Sequence, residues 1–355
     1  MTMMVKRLIF AQLLRSVKLI KSTQSENSGA KIIILYFWLR TTDIVKIYYD
    51  LKDLKAVRPV VTIGTFDGVH LGHRKILGRL TEIAAATGGE SLLFTFYPHP
   101  RQVLSPDEHN LRLITTLEEK VELLGKAGID HLVVYPFSRE FAALTYREFV
   151  REILVEKIGT SCLVVGYDHK FGKNREGDYE YLKECARNYN FRIEKLDPLL
   201  INEAHVSSTR IRQALEAGDI AGANRYLGYS YELHGQVVEG KKVGRKLGFP
   251  TANIEATEVT KLIPGYGVYA VRIRVAGETW KGMLNIGSRP TFNQNADNRS
   301  IEVNIFGFEG SLYGEKITLF FDGKIREEQK FGSVEALVAQ LRNDREKALE
   351  ILAGS

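Results

Sequence analysis

The sequence predicts a doubly wound α/β domain followed by a small antiparallel β-barrel with a C-terminal helix, and three observations carry that expectation. From residue 45 to about 228, apolar runs rich in β-branched residues alternate with runs of helical periodicity, as when helices cover both faces of a parallel sheet. Beyond residue 230 the pattern shifts to short alternating strands punctuated by glycine turns. The length of 355 residues suits about two domains.

In the first region the strand candidates are VVTIGTF (60–66), SLLFTFY (91–97), HLVVYPF (131–137) and SCLVVGYD (161–168), with helices over 72–86, 116–127, 145–157 and 177–188. The second region reads as strands in YELHGQVVEG, YGVYAVRIRVAGETWKGMLNIG, SIEVNIFGF and GEKITLFFDGKIREEQKF. Ser333 caps a last helix over 334–352, whose Val334, Leu337, Val338 and Leu341 form an apolar stripe. The expected organisation is an extension over 1–43, a first domain over 44–229 and a second over 230–355.

Lys plus Arg number 49 against 43 Asp plus Glu. Residues 1–43 hold seven basic residues against Glu26 and Asp43, hence five of the six net positive charges, and the remainder is nearly neutral. That distribution argues against nucleic acid, because no basic patch or recognition motif lies outside the head. The head itself reads as a dispensable, poorly ordered extension, with a targeting peptide or membrane-surface helix as the other readings. No apolar run approaches the roughly 20 residues that span a bilayer. Cys162 and Cys185 lack CxxC spacing and point to reduced thiols in a cytoplasm. No obligatory protein partner is implied.

The stretch TIGTFDGVHLGH (62–73) joins a strand to a helix through a glycine turn, the junction where α/β domains bind ligands. Gly64, Gly68 and Gly72 permit close approach, and the helix N-terminus offers unpaired N–H groups to a phosphate. His70 and His73, at i and i+3, share one face and are placed to donate to charge building on a phosphoryl group. Two structural histidines are the plain alternative. Zinc would require further ligands, and neither GxGxxG nor GxxxxGK[ST] is present. Ser207, Ser208 and Thr209 open another helix, with Arg212 one turn on, as a helix cap or a phosphate clamp. Asp168 is either a turn cap or a ligand contact at a strand end.

GTFDGVHLGH resembles the HxGH signature of Rossmann-like nucleotidyltransferases, in the form found in bacterial bifunctional riboflavin kinase/FAD synthetases. FYPHP (96–100), GYDHKFGKNREGD (166–178) and SSTRIR (207–212) follow in the family's order. The resemblance implies ATP contacts at Gly64, Phe66, Asp67, His70, His73, Ser207, Ser208, Thr209 and Arg212, with Asp168 on flavin or nucleotide. His169 departs from the pattern, standing where many relatives carry an aromatic residue.

GQVVEGKKVGRKLGFPTANI (235–254) resembles the riboflavin kinase signature. That likeness implies Gly240 and Lys246 at the ATP phosphates, Thr251 and Asn253 on Mg²⁺, Glu302 of SIEVNIF as general base, and Arg326 on the flavin. Alternation puts Ile301, Val303 and Ile305 on one face of that strand and Glu302 and Asn304 on the other, read as its inner, ligand-facing side. Asn304 departs from the His of many relatives. The function implied is phosphorylation of riboflavin by ATP to FMN, then adenylylation of FMN by a second ATP to FAD and pyrophosphate, both steps with Mg²⁺. The other readings are a nucleotidyltransferase for another phosphate acceptor and a flavin sensor without catalysis.

Overall fold

The computed structural model describes residues 45–105, 111–167, 172, 177–201, 204–240, 244, 247–288 and 299–354; the basic head lies outside them. Val45–Ser355 forms one compact unit.

Its first half is an all-parallel six-stranded sheet of β1 (Lys46–Tyr48), β2 (Val60–Ile63), β3 (Ser91–Tyr97), β4 (His131–Pro136), β5 (Cys162–Gly166) and β6 (Arg192–Leu196), in the order β1-β4-β3-β2-β5-β6. The α-helices of this half are α1 (Leu71–Thr87), α2 (Pro100–Leu104), α3 (Leu117–Lys126), α4 (Arg139–Ala142), α5 (Tyr146–Glu148) and α6 (Tyr179–Tyr189). Successive residues of a strand enter opposite cores. Leu93 packs with Leu77, Leu80 and Ile83 of α1, whereas Leu92 and Phe94 pack with Phe149, Ile153 and Leu182 on the other face. Both faces are therefore covered, which explains the unbroken apolar strands. The edge strands β1 and β6 escaped the sequence reading because they are short and half-exposed, without an apolar run.

Two expected strands end early. β2 stops at Ile63, where the chain turns into the glycine loop, and β5 stops at Gly166. The helix expected over 145–157 begins as the single turn α5 and continues as a π-helical stretch, Phe149–Lys157.

A two-stranded ribbon, β7 (Leu200–Ile201) and β8 (Ala204–His205), leads to α7 (Ser208–Glu216) and α8 (Ile220–Leu227). The second half is a closed antiparallel barrel of β9 (Tyr231–Val238), β10 (Ala252–Ala256), β11 (Gly267–Val275), β12 (Glu278–Ser288), β13 (Arg299–Ile305) and β14 (Lys316–Arg326), in the order β10-β13-β12-β11-β14-β9. Leu233, Val271, Leu284, Val303 and Leu319 fill it. The closing helix α9 (Val334–Ile351) is capped by Ser333, whose Oγ accepts from Ala336 N at 3.1 Å. Its deepest contacts are Asp344 and Ala348, while Val334 is exposed. The apolar stripe covers only part of the seat, because small Ala348 and Ala270 let helix and barrel approach closely.

Ile211 and Leu215 of α7 and Ile220, Ala223 and Leu227 of α8, together with Ile114, belong to the same core as the barrel lining. The change of sequence pattern near 230 is thus not a boundary in the packing.

Candidate active sites

The turn after β2 is strained. Phe66 has φ 47°, Gly68 φ 86° and Val69 φ 35°, and a β-branched residue at positive φ costs on the order of 1–3 kcal/mol. Such a conformation persists only where its surroundings over-determine it. Asp67, 1% exposed, accepts from Ile114 N (3.1 Å), Thr115 N (3.0 Å), Thr115 Oγ1 (3.1 Å) and Arg212 Nη2 (2.5 Å). Gly68 N donates to Thr115 Oγ1, Tyr229 OH to Gly68 O, Ser208 Oγ to Asp67 O, and Lys120 Nζ to Thr65 O at 2.8 Å. The peptides of the turn are held from distant parts of the chain.

Out of this turn His70 caps α1, its Nδ1 accepting from His73 N at 3.2 Å. That bond assigns the His70 proton to Nε2, so the ring presents a donor outward. The two imidazoles stack with centroids 3.6 Å apart, and Phe66 lies 4.6 Å from His73. A Cβ at Gly72 would lie 3.2 Å from the His70 ring and 3.6 Å from Val206 O, so glycine lets the start of α7 approach the start of α1. Two helix N-termini therefore converge beside the histidines, an arrangement that favours an anion.

Burial lowers the His70 pKa to about 4, although Asp67 works against the shift. His73 falls well below the ordinary imidazole value, through burial and then the neighbouring His70 and Lys120. Both rings are neutral near pH 7. Burial works to raise the Asp67 carboxyl, but Arg212, Lys120 and the Thr115 and Ile114 N–H groups hold it below its ordinary value.

The barrel carries a second constellation. Asn253 and Glu302 are register partners on β10 and β13, and Asn285 of β12 faces Glu302 from the other side. Thr251 Oγ1 donates to Glu302 Oε2 at 3.3 Å. Gly240 lies so close to the Asn253 amide that any Cβ would collide with it, and a Cβ at Gly244 would meet Phe249 O and Thr251 Oγ1. Ile301, Val303 and Ile305 line the barrel core, so Glu302 faces outward, toward Thr251. This corrects the sequence reading: the apolar alternate face is the interior, and the carboxylate stays outside where it can be solvated. Asn304, on the same side, donates from Nδ2 to Pro250 O at 2.7 Å and props the turn.

Comparison with known proteins matches residues 53–210 to a FAD synthetase family and residues 227–352 to a riboflavin kinase family. The Pseudomonas fluorescens bifunctional riboflavin kinase/FMN adenylyltransferase is 38% identical over 86% of this chain and 98% of its own length. The chain belongs to the bifunctional riboflavin kinase/FMN adenylyltransferase family. The Bacillus subtilis and Escherichia coli proteins of that description are 35% and 37% identical, over 88% and 82% of this chain and 98% and 92% of their own lengths. Like the family, the chain makes FMN from riboflavin and FAD from FMN, with ATP as the second substrate of both reactions. A solved Streptococcus pneumoniae chain described as a macrolide-efflux protein shares the architecture, with TM-score 0.78 and 30% identity over 85% of this chain and 98% of that one. Among the described residues no helix is long and apolar enough to cross a membrane.

Seen as a member of this family, the chain distributes its expected site residues unevenly. Gly64, Phe66, His70 and His73 lie in or beside the turn, and Ser207 caps α7 by accepting from Arg210 N. Thr209 is exposed on the first turn of α7. Arg212, expected to clamp phosphate, spends its guanidinium on Asp67 and on Arg112 O (2.9 Å), so that here it braces the turn. Arg326, expected on flavin, forks onto the fully buried Asp344 with contacts of 2.8–3.0 Å and ties α9 to β14. Asp168 and Lys246 lie outside the described residues.

Two groups escaped the sequence reading. His99 caps α2, and burial lowers its pKa to about 4, within the fields of Asp67, Arg212 and Lys120. The FYPHP motif pointed to this segment but not to that side chain. Lys120 is buried beneath the turn, its pKa lowered by burial against the pull of Asp67. Within LEEK, in the helix expected over 116–127, no local signal marks this lysine as buried.

Proposed function

We propose that residues 44–229 carry FMN adenylylation and residues 230–355 riboflavin phosphorylation, each at the constellation described above. The observation that carries the first assignment is the pair of neutral, stacked histidines at a helix N-terminus. In adenylyl transfer an FMN phosphate oxygen attacks the α-phosphorus of ATP, and the bond to the pyrophosphate oxygen breaks. Negative charge on the transferring group is greatest in the transition state. His70 Nε2–H and the His73 ring would donate to it there, aided by the N–H groups of α1 and α7. Neutral donors suit this task, since they hold no ground-state salt bridge that must weaken as the reaction proceeds.

In the barrel, Glu302 would accept the proton of the ribityl 5′-hydroxyl as that oxygen attacks the γ-phosphorus of ATP and ADP departs. The Thr251 hydroxyl orients the carboxylate. The oxygen-bearing set of Thr251, Asn253 and Glu302 fits Mg²⁺, a hard cation that keeps several waters, and Thr251 and Asn253 would hold it. Bound there, Mg²⁺ supplies charge neutralisation for the phosphates. Two buried cysteines without a disulfide support a reducing cytoplasm.

The test is single-turnover FAD formation from FMN by His73→Ala at saturating ATP, beside ATP titration of the same variant. The expected loss is about 10²–10³-fold in rate with ATP affinity little changed and riboflavin phosphorylation intact. A normal rate, or a defect recovered by raising ATP, would remove the histidines from the chemistry.

A further inference from the structure

The turn that carries the histidines is aimed in part by a residue of the barrel half. Lys261, 3% exposed, donates from Nζ to Ile114 O at 2.7 Å and to Glu119 Oε2 at 2.5 Å, and lies 4.5 Å from the centre of the Tyr231 ring. Ile114 is 147 positions away in the sequence, on the segment that serves Asp67. The Ile114 carbonyl and the Thr115 N–H belong to one peptide group, and the Thr115 N–H donates to Asp67 Oδ1 at 3.0 Å. A trans peptide is planar, so fixing the direction of its carbonyl fixes the direction of its N–H. A cation on that oxygen also polarises the N–H and strengthens its bond to the carboxylate.

The same segment is bound to the barrel half on its other edge. Leu113 N donates to Thr260 O at 2.7 Å, Leu262 N donates to Leu113 O at 2.8 Å, and Arg112 Nη1 donates to Val259 O. Residues 112–115 are thus held between segment 259–262 on one side and Asp67 on the other. Glu119 belongs to the capping box of α3, and the next residue, Lys120, grips Thr65 O. Lys261 consequently touches both the peptide that meets Asp67 and the helix turn that meets Thr65.

We infer that Lys261 is a positioning residue for FMN adenylylation, contributed by the kinase half, and that it sets the Ile114–Thr115 peptide against Asp67 and thereby the placement of His70 and His73. The inference rests on the assignment of adenylyl transfer to those histidines. Its chemistry differs from that of a stabilising ion pair. Exchanging a buried ion pair for neutral groups of similar size is often neutral or favourable for stability, so stability alone gives little reason to keep one. A peptide that must point in one direction gives a specific reason.

The experiment uses the full chain with Lys261→Met, in which the stem is retained and the donor lost, and with Glu119→Gln/Lys261→Met, which leaves no unpaired charge. On each preparation kcat and KM are measured for FAD formation from FMN and for FMN formation from riboflavin. The expected result is a fall of about tenfold or more in kcat for FAD formation in both variants, with kinase kcat and KM unchanged, because even a small misplacement of catalytic groups costs rate steeply. The double variant separates positioning from charge burial, for it removes the buried charge yet leaves Ile114 O without its donor. Recovery of FAD formation in the double variant overturns the inference, as does a normal rate in the single variant or loss of both activities in parallel in both variants. A slow His73→Ala beside a normal Lys261→Met defeats this inference alone, whereas a normal His73→Ala defeats the site assignment beneath it.

Discussion

The two sites solve the problem of placing a phosphate-handling group in opposite ways. Around His70 and His73 the backbone is strained and irregular, and its geometry comes from side chains brought from far along the chain: Thr115, Lys120, Ser208, Arg212 and Tyr229. Around Glu302 the backbone is regular, and strand register alone sets Asn253 and Asn285 on either side of the carboxylate. A site built on a regular ladder tolerates loss of one side chain, since the ladder keeps its shape. A site built on an irregular turn depends on every brace, and several of its braces are buried charges whose loss leaves partners stranded.

The strongest way to sharpen that contrast is Glu302→Gln. With the ladder intact, only proton acceptance is lost, so FMN formation should fall by about 10²–10⁴-fold while FAD formation from supplied FMN persists. Equal loss of both reactions in a folded variant would break the comparison.

Asp67→Asn makes the complementary test. The amide keeps the shape but strands the Arg212 guanidinium, and loss of one partner of a buried pair costs about 3–5 kcal/mol. A lowered Tm should accompany an FAD-forming rate reduced far more than the kinase rate. Unchanged melting would show that Asp67 is not the brace its bonds suggest.

The smallest effect is one of pH. The folded His70 pKa, about 4, lies below the ordinary 6.5, so between those values the unfolded chain binds more protons than the folded one. Stability therefore falls as pH drops below about 6.5 and has lost its full share, about 3 kcal/mol from this group, near pH 4. The rate of FAD formation should show no acid limb near pH 6.5, since the imidazole of the native enzyme is already neutral there. Denaturant melts across pH 4–7 and a pH–rate profile check both, and a titration near 6.5 assigned to His70 or His73 in the native enzyme would contradict the burial of the pair.

Legibility in the sequence followed the range of the interactions. Central strands such as Leu92–Phe94 announce themselves because apolar packing on both faces removes the need for polar alternation. The barrel strand around Glu302 is equally plain, through alternation, yet alternation alone does not say which face is inside; closure of the barrel decides that. The edge strands β1 and β6 carry too little buried surface to be read.

By itself the sequence determined the order of the main elements and the helix starts near His70, Ser207 and Ser333, because each depends on residues near one another in the chain. Only the tertiary structure decided that Arg212 would meet Asp67, that Arg326 would meet Asp344, that the two histidines would be dry enough to remain neutral, and that a lysine of the barrel half would reach the peptide facing Asp67. Those outcomes rest on contacts between residues far apart in sequence and on exclusion of water. Both arise when the helices between the halves join the barrel in one core.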